Sequence, residues 1–185
     1  MIINETELKG VYLIEPKVFS DPRGWFTETY SILKMSNIGL NTVFIQDNHS
    51  FSALKGTLRG LHFQKNPKAQ TKLTRCSRGA ILDVAVDIRK GSPQYGKWVA
   101  VELTADNFKQ LYIPKGFAHA FLTLVDNVEV QYKVDEYYAP DCDRGIRYND
   151  PDIAIDWGSI VPLLSSKDEH APLLKDSDCN FVYIS

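Results

Sequence analysis

In Leu82-Asp83-Val84-Ala85-Val86-Asp87-Ile88 every second side chain is aliphatic, so Leu82, Val84, Val86 and Ile88 share one face of an extended chain while Asp83, Ala85 and Asp87 share the other. A helix would scatter these residues around its axis, so the segment is a strand. Val128, Val130, Tyr132 and Val134 repeat the pattern against Glu129, Gln131 and Lys133. Lys97 to Leu103 and Gln110 to Ile113 read as further strands, set off by the turn sequences Lys90-Gly91-Ser92-Pro93 and Thr104-Ala105-Asp106-Asn107. Short strands at this spacing imply a sandwich, barrel or jelly roll. Composition agrees, since residues that favour pleated surfaces are abundant while Met is used twice in 185 residues. Helical signals are confined to Tyr30–Ile38, which stops at Gly39, and to Ser165-Ser166-Lys167-Asp168, where a serine N-cap has an acid three residues on.

The length suits one domain spanning residues 1–185, and no repeat or flexible linker interrupts it. From Pro140 onward the chain is richer in Asp and turn residues and reads as loops and short segments laid over the strands. Twenty-one basic against 23 acidic residues give a net charge of −2, which argues against bulk nucleic acid as a partner but allows a local basic pocket. Three scattered cysteines without a CxxC suit a reducing compartment. An acidic start and the lack of any long apolar run point to a soluble, cytoplasmic protein without a membrane partner.

Two of the four histidines sit where chemistry is expected. In Gly60-Leu61-His62-Phe63-Gln64 alternation places Gly60, His62 and Gln64 together, a set suited to a wet cavity, with Leu61 and Phe63 opposite. His119 follows the turn Pro114-Lys115-Gly116 on a strand whose face it shares with Phe117 and Phe121. Taken singly, either histidine is better explained by a satisfied place in the core; two of them, each after a glycine turn, bring the two readings level. Arg59, Lys65, Lys68, Lys72, Arg75 and Arg78 cluster around His62 and suit a phosphate or diphosphate; a solvated charged face is the alternative for any one of them.

Pro114, Gly116 and His119 resemble the second motif of the cupin jelly rolls, whereas the first motif departs, with Gln64 in place of its second histidine and no glutamate following. Too few donors remain for a transition metal, so the resemblance implies a cupin-like double-stranded β-helix without metal or other cofactor, its histidine freed for acid/base work. Longer motifs narrow this further: Phe19-Ser20-Asp21-Pro22-Arg23-Gly24-Trp25-Phe26-Thr27-Glu28, Gln46-Asp47-Asn48-His49-Ser50, Gly56 to Gln64, Ile113 to His119, Asn149-Asp150-Pro151-Asp152-Ile153 and Leu164 to Asp168. Over nearly its whole length the chain resembles the dTDP-4-dehydrorhamnose 3,5-epimerases.

The resemblance implies removal and return of protons at the two carbons flanking a C4 ketone of a dTDP-linked 4-keto-6-deoxy sugar. His62 matches the family's base, Asp168 its carboxylate partner, Lys72 the group near the ketone oxygen and Tyr132 the donor on the other face. Arg23, Glu28, Gln46, Asn48, Arg59, His119, Asp143 and Lys167 match positions that line the nucleotide-sugar site, and Tyr138 matches the ring that stacks on thymine. Asp143 stands where Glu is usual and Tyr148 where Trp is usual. The family pattern is a homodimer in which the N-terminal segment carrying Arg23 and Glu28 reaches the neighbouring site. Alternatives are a 3-only or 5-only epimerase, a GDP- or CDP-linked substrate and, from other classes, a metal-dependent cupin or a protein that only binds a sugar nucleotide.

Overall fold

A computed structural model of the protein describes residues 1–184. The chain runs β1 (Ile2–Glu5), β2 (Tyr12–Glu15), β3 (Val18–Asp21), β4 (Gly24–Thr27), α1 (Ile32–Ser36), β5 (Gln46–Ser52), β6 (Leu58–Gln64) and β7 (Lys72–Arg78). It continues through β8 (Ala80–Asp87), β9 (Trp98–Thr104), β10 (Gln110–Ile113), β11 (Phe117–Thr123), β12 (Val128–Val134), β13 (Asp143–Gly145) and α2 (Ser166–Glu169). A short 3₁₀ turn over Leu174–Asp176 follows. The two helices are briefer than their sequence signals suggest; Ser31 caps α1 and Ser165 caps α2.

Two antiparallel sheets form the body, a six-stranded one in the order β1-β2-β10-β7-β12-β5 and a five-stranded one in the order β13-β6-β11-β8-β9. This is the expected cupin-like jelly roll. Their facing sides bury one cluster, with Ile81, Ala85, Phe117 and Phe121 from the smaller sheet meeting Cys76, Leu111, Val128 and Val130 from the larger. On the far side of the smaller sheet Leu61, Phe63, Val84, Val86 and Ile88 are covered by Ile146, Ile153, Ile155, Trp157, Leu174 and Phe181. The tail is therefore a third layer, and it contributes β13 as an edge strand paired with β6. The indoles fasten it: Trp98 Nε1 donates to the Ile153 carbonyl at 3.1 Å and Trp157 Nε1 to that of Tyr148 at 2.9 Å. Tyr148 packs half-buried against the same cluster.

β8 is consequently buried on both faces. Its aliphatic face looks at the tail, and the face carrying Asp83 and Ala85 looks into the barrel. β6 and β11 approach so closely that a Cβ on Gly60 would lie 2.5 Å from Ala120 Cβ and 2.6 Å from the His119 carbonyl oxygen, and its φ of +126° also favours glycine. β3 and β4 form a separate hairpin outside both sheets. None of the helices among the described residues is long and apolar enough to cross a membrane.

Candidate active site

His62 lies on β6 facing the barrel interior, and its Nε2 is 2.5 Å from Asp168 Oδ1. Asp168 comes from α2, 106 residues away in sequence. Two features deliver it: the segment before α2 is zipped onto the start of β6 by Leu163 N–H donating to the Gly56 carbonyl at 2.7 Å and Leu58 N–H to that of Leu163 at 3.0 Å, and the Ser165 hydroxyl accepts the Asp168 N–H at 3.2 Å. Burial alone would raise the Asp168 carboxyl. The hydrogen bond and charge of His62, with the Ser165 hydroxyl and the Gly60 N–H, overcome this and hold it below the usual carboxylate value. An ionised carboxylate makes Nε2 the protonated, donating nitrogen and leaves Nδ1 as the one able to accept a proton.

His119 pairs directly with His62 across β11 and β6. Its Nε2 donates to Asp83 Oδ1 at 2.7 Å, and burial holds its pKa below the usual imidazole value although Asp83 pulls the other way. Lys72 and Tyr132 come from the opposite sheet, the ammonium 5.9 Å from the phenol ring centre. Burial lowers the Lys72 pKa to about 8 against the charges of Asp143 and Asp83. Burial also raises the Tyr132 phenol, with Arg59 opposing, so the ring keeps its proton at neutral pH.

Arg59, His62, Lys72, His119, Tyr132 and Asp168 line one cavity of about 490 Å³. It adjoins a space of about 230 Å³ that shares His62, Lys72 and Tyr132 and adds Gln46, Asn48, Tyr138, Asp143 and Lys167. Asp143 Oδ2 is 2.5 Å from Lys167 Nζ and accepts the Tyr138 hydroxyl at 3.2 Å. The shorter acid thus still ties the exposed Tyr138 ring to a cation. Arg23 and Glu28 are not brought into these cavities. Arg23 sits at the solvent-exposed tip of the β3–β4 hairpin on Asp21, and Glu28 pairs with Lys34.

The basic cluster is dispersed, Lys65 and Lys68 into the loop after β6 and Lys72, Arg75 and Arg78 along β7, where alternation separates Lys72 from Arg75. Arg59 and Lys72 reach the cavity, while Lys65 pairs with Asp178, Lys68 with Glu136, Arg75 with Gln131 and Arg78 with Glu129. Gln64 braces a loop: Nε2 donates to the carbonyls of Lys68 at 2.7 Å and Tyr137 at 3.2 Å, and Oε1 accepts the Ala139 N–H at 2.8 Å. Among the described residues no three His, Cys, Asp or Glu side chains gather as metal ligands. Sequence reasoning passed over Asp83, although its place on the polar face of an otherwise aliphatic strand marked it, and over Leu163, Leu164 and Ser165, which wall the cavity beside Asp168.

Residues 5–176 match the family model described as dTDP-4-dehydrorhamnose 3,5-epimerase. The enzyme of that name from Escherichia coli strain K12 is 53% identical over 171 residues, covering 91% of this chain and 92% of its own. The crystal structure of the Bacillus anthracis dTDP-4-dehydrorhamnose 3,5-epimerase, with TDP and PPi bound, superposes with a TM-score of 0.90 at 52% identity over 93% of this chain and 98% of that one. The Legionella pneumophila dTDP-6-deoxy-D-glucose-3,5-epimerase, in complex with dTDP-4-keto-L-rhamnose, gives a TM-score of 0.91 at 43% identity, covering 96% and 94%. The chain belongs to the dTDP-4-dehydrorhamnose 3,5-epimerase family.

Proposed function

We propose that the protein epimerises C3 and C5 of dTDP-4-keto-6-deoxy-D-glucose, giving dTDP-4-keto-L-rhamnose for dTDP-L-rhamnose synthesis. The observation that carries this reading is the placement of an imidazole and a protonated phenol on opposite sheets of one cavity, with an ammonium beside the phenol. Inversion at a carbon next to a ketone needs a base on one face, a donor on the other and a stabiliser for the enolate oxygen between them. His62 Nδ1 takes the proton while Asp168 stabilises the imidazolium. The Lys72 ammonium holds the oxyanion, and Tyr132 returns a proton to the opposite face. Each inversion breaks one C–H bond next to the carbonyl and the Tyr132 O–H bond and forms a new C–H bond on the opposite face; the His62 imidazolium then releases its proton to solvent and the Tyr132 phenolate regains one from it, so the reaction balances without a redox partner.

Arg59, His119, Gln46 and Asn48 would position the sugar and diphosphate, Lys167 and Asp143 would close the mouth, and Tyr138 would stack on the base. In purified protein incubated with this substrate in deuterated water, label should enter both carbons; label at neither refutes the assignment, and label at one reduces it to a single-carbon epimerase.

The same reading makes the protein a homodimer, with residues 1–185 acting as one catalytic unit. A two-stranded hairpin is marginal by itself, yet β3–β4 holds Phe19, Trp25 and Phe26 half or more exposed and Arg23 pointing outward. Seated on a second copy, it would carry Arg23 and Glu28 to that copy's cavity. Mixing Arg23→Ala with His62→Ala protein should then restore activity that neither has alone, whereas a site completed within one chain would stay dead. The three free cysteines, two of them buried, suit the reducing cytoplasm where we place it.

A further inference from the structure

β8 sends into the barrel a carboxylate that the proposed reaction does not use. Asp83 is fully buried. Its Oδ1 accepts the His119 Nε2 hydrogen, and its Oδ2 has no hydrogen-bond partner among the described residues. A buried carboxylate with one oxygen unmatched is costly unless a cation balances it. His119 does not supply that cation, because its lowered pKa leaves the ring neutral at neutral pH.

Lys72, on the facing sheet, feels two carboxylates, Asp143 and Asp83. Asp143 is already matched at 2.5 Å by Lys167, whereas Asp83 has no ion-pair partner among the described residues besides the neutral His119. We propose that Asp83 is a positioning residue for the epimerisation, its buried charge keeping Lys72 an ammonium inside the cavity while its hydrogen bond fixes the tautomer of His119. The inference rests on the reading of Lys72 as the group that stabilises the enolate.

The other groups around Lys72 are His62 from β6, His119 from β11 and Tyr132 from β12, with Asp143 and Lys167 at the mouth. Arg59 and Asp168 complete the charges of the cavity. Asp83 does not itself line either space but reaches the cavity wall through its hydrogen bond to His119, and among the described residues no lysine or arginine pairs with it. Burial brings the Lys72 pKa down to about 8, so its deprotonation falls within a usable assay range. The ammonium is the active form and a negative charge favours it. Removing that charge therefore moves the loss of activity to lower pH.

Asp83→Asn keeps the shape and an acceptor for His119 but removes the charge. The alkaline limb of kcat/KM should move toward acid by about one pH unit, so that activity falls about fivefold further at pH 8 than at pH 6. A loss equal at every pH would overturn the proposal, since a structural defect does not shift a titration. A melting cycle gives a readout that needs no turnover. Lys72→Met strands the Asp83 charge, so adding Asp83→Asn to it should raise the melting temperature. If Asp83→Asn lowers it as much in that background as in the wild type, the two groups are independent and the proposal fails. Deuterium exchange by the wild type keeps the tests separate: no exchange defeats the epimerase reading, while the melting cycle still decides whether Asp83 and Lys72 are coupled.

Discussion

Replacing Asp168 with asparagine isolates the charge that supports the proposed base. The carboxylate is almost wholly buried and 2.5 Å from His62 Nε2. With charge centres about 4 Å apart and an effective dielectric constant of about 20, its attraction for an imidazolium is about 4 kcal/mol. The His62 side chain is 31% exposed, and halving the figure for that solvent leaves about 2 kcal/mol, or about 30-fold in rate. A second effect adds to it. An asparagine amide can donate to Nε2 and force the proton onto Nδ1, the nitrogen required as base; the analogous carboxylate-to-amide change in a serine protease triad costs about 10⁴-fold. Exchange of solvent deuterium into C3 and C5, followed by proton NMR, should therefore fall at least about 30-fold at both carbons, with the fold intact by circular dichroism. A loss below about threefold would show that the pair is structural. A loss at one carbon alone would show that His62 is not the common base.

Tyr132→Phe should lower formation of the inverted product by about 10²–10⁴-fold, while deuterium still enters with retained configuration from the His62 side; wild-type inversion would remove the phenol from the mechanism. Gly60→Ala should destabilise the fold by about 3 kcal/mol or more, because its Cβ meets Ala120 at 2.5 Å and its φ of +126° is strained for alanine. By calorimetry that is a drop in Tm of roughly 6–12 °C, and an unchanged Tm would mean that β6 and β11 can separate freely. Arg144 first, then Lys65, hold the Asp178 carboxyl down at about 2 from 3.8, so its contribution is present above pH 3.8 and is lost as pH falls through about 2. Asp178 is half exposed, which limits the effect to about 1 kcal/mol. Asp178→Asn should thus lower the Tm by about 2–4 °C at pH 7 and by less at pH 2, and the reverse order would refute the pairing.

The strands were legible where two faces differ chemically. Gln110–Ile113 has the bounds expected of it, and the alternation of β12 turned Tyr132 to the interior. On β8 the same pattern announces two faces without saying which is inner, because that depends on a third layer contributed by residues from Ile146 to Phe181, far along the chain. The strands β1 to β4 carry no alternation that marks them, since Tyr12-Leu13-Ile14 is an unbroken apolar run and Phe19, Trp25 and Phe26 lie exposed on a hairpin outside both sheets. Basic residues near His62 looked like one cluster in the sequence, yet alternation on β7 sends Lys72 inward and Arg75 outward, and acids from distant segments claim Lys65 and Lys68. Asp168 was identifiable as the partner of His62 through family resemblance alone, since no local pattern connects positions 106 residues apart.

That separation predicts that the site is completed late in folding. Closing the two sheets assembles His62, Lys72 and Tyr132, but the carboxylate arrives only when the segment from Leu163 to α2 docks against Gly56 and Leu58. The same tail covers Val84, Val86 and Ile88. A barrel without its tail would therefore be sticky on its outside and leave His62 without its carboxylate partner inside. Turnover in this protein reports that the last layer has landed, so a refolding time course followed by activity should lag behind one followed by strand formation.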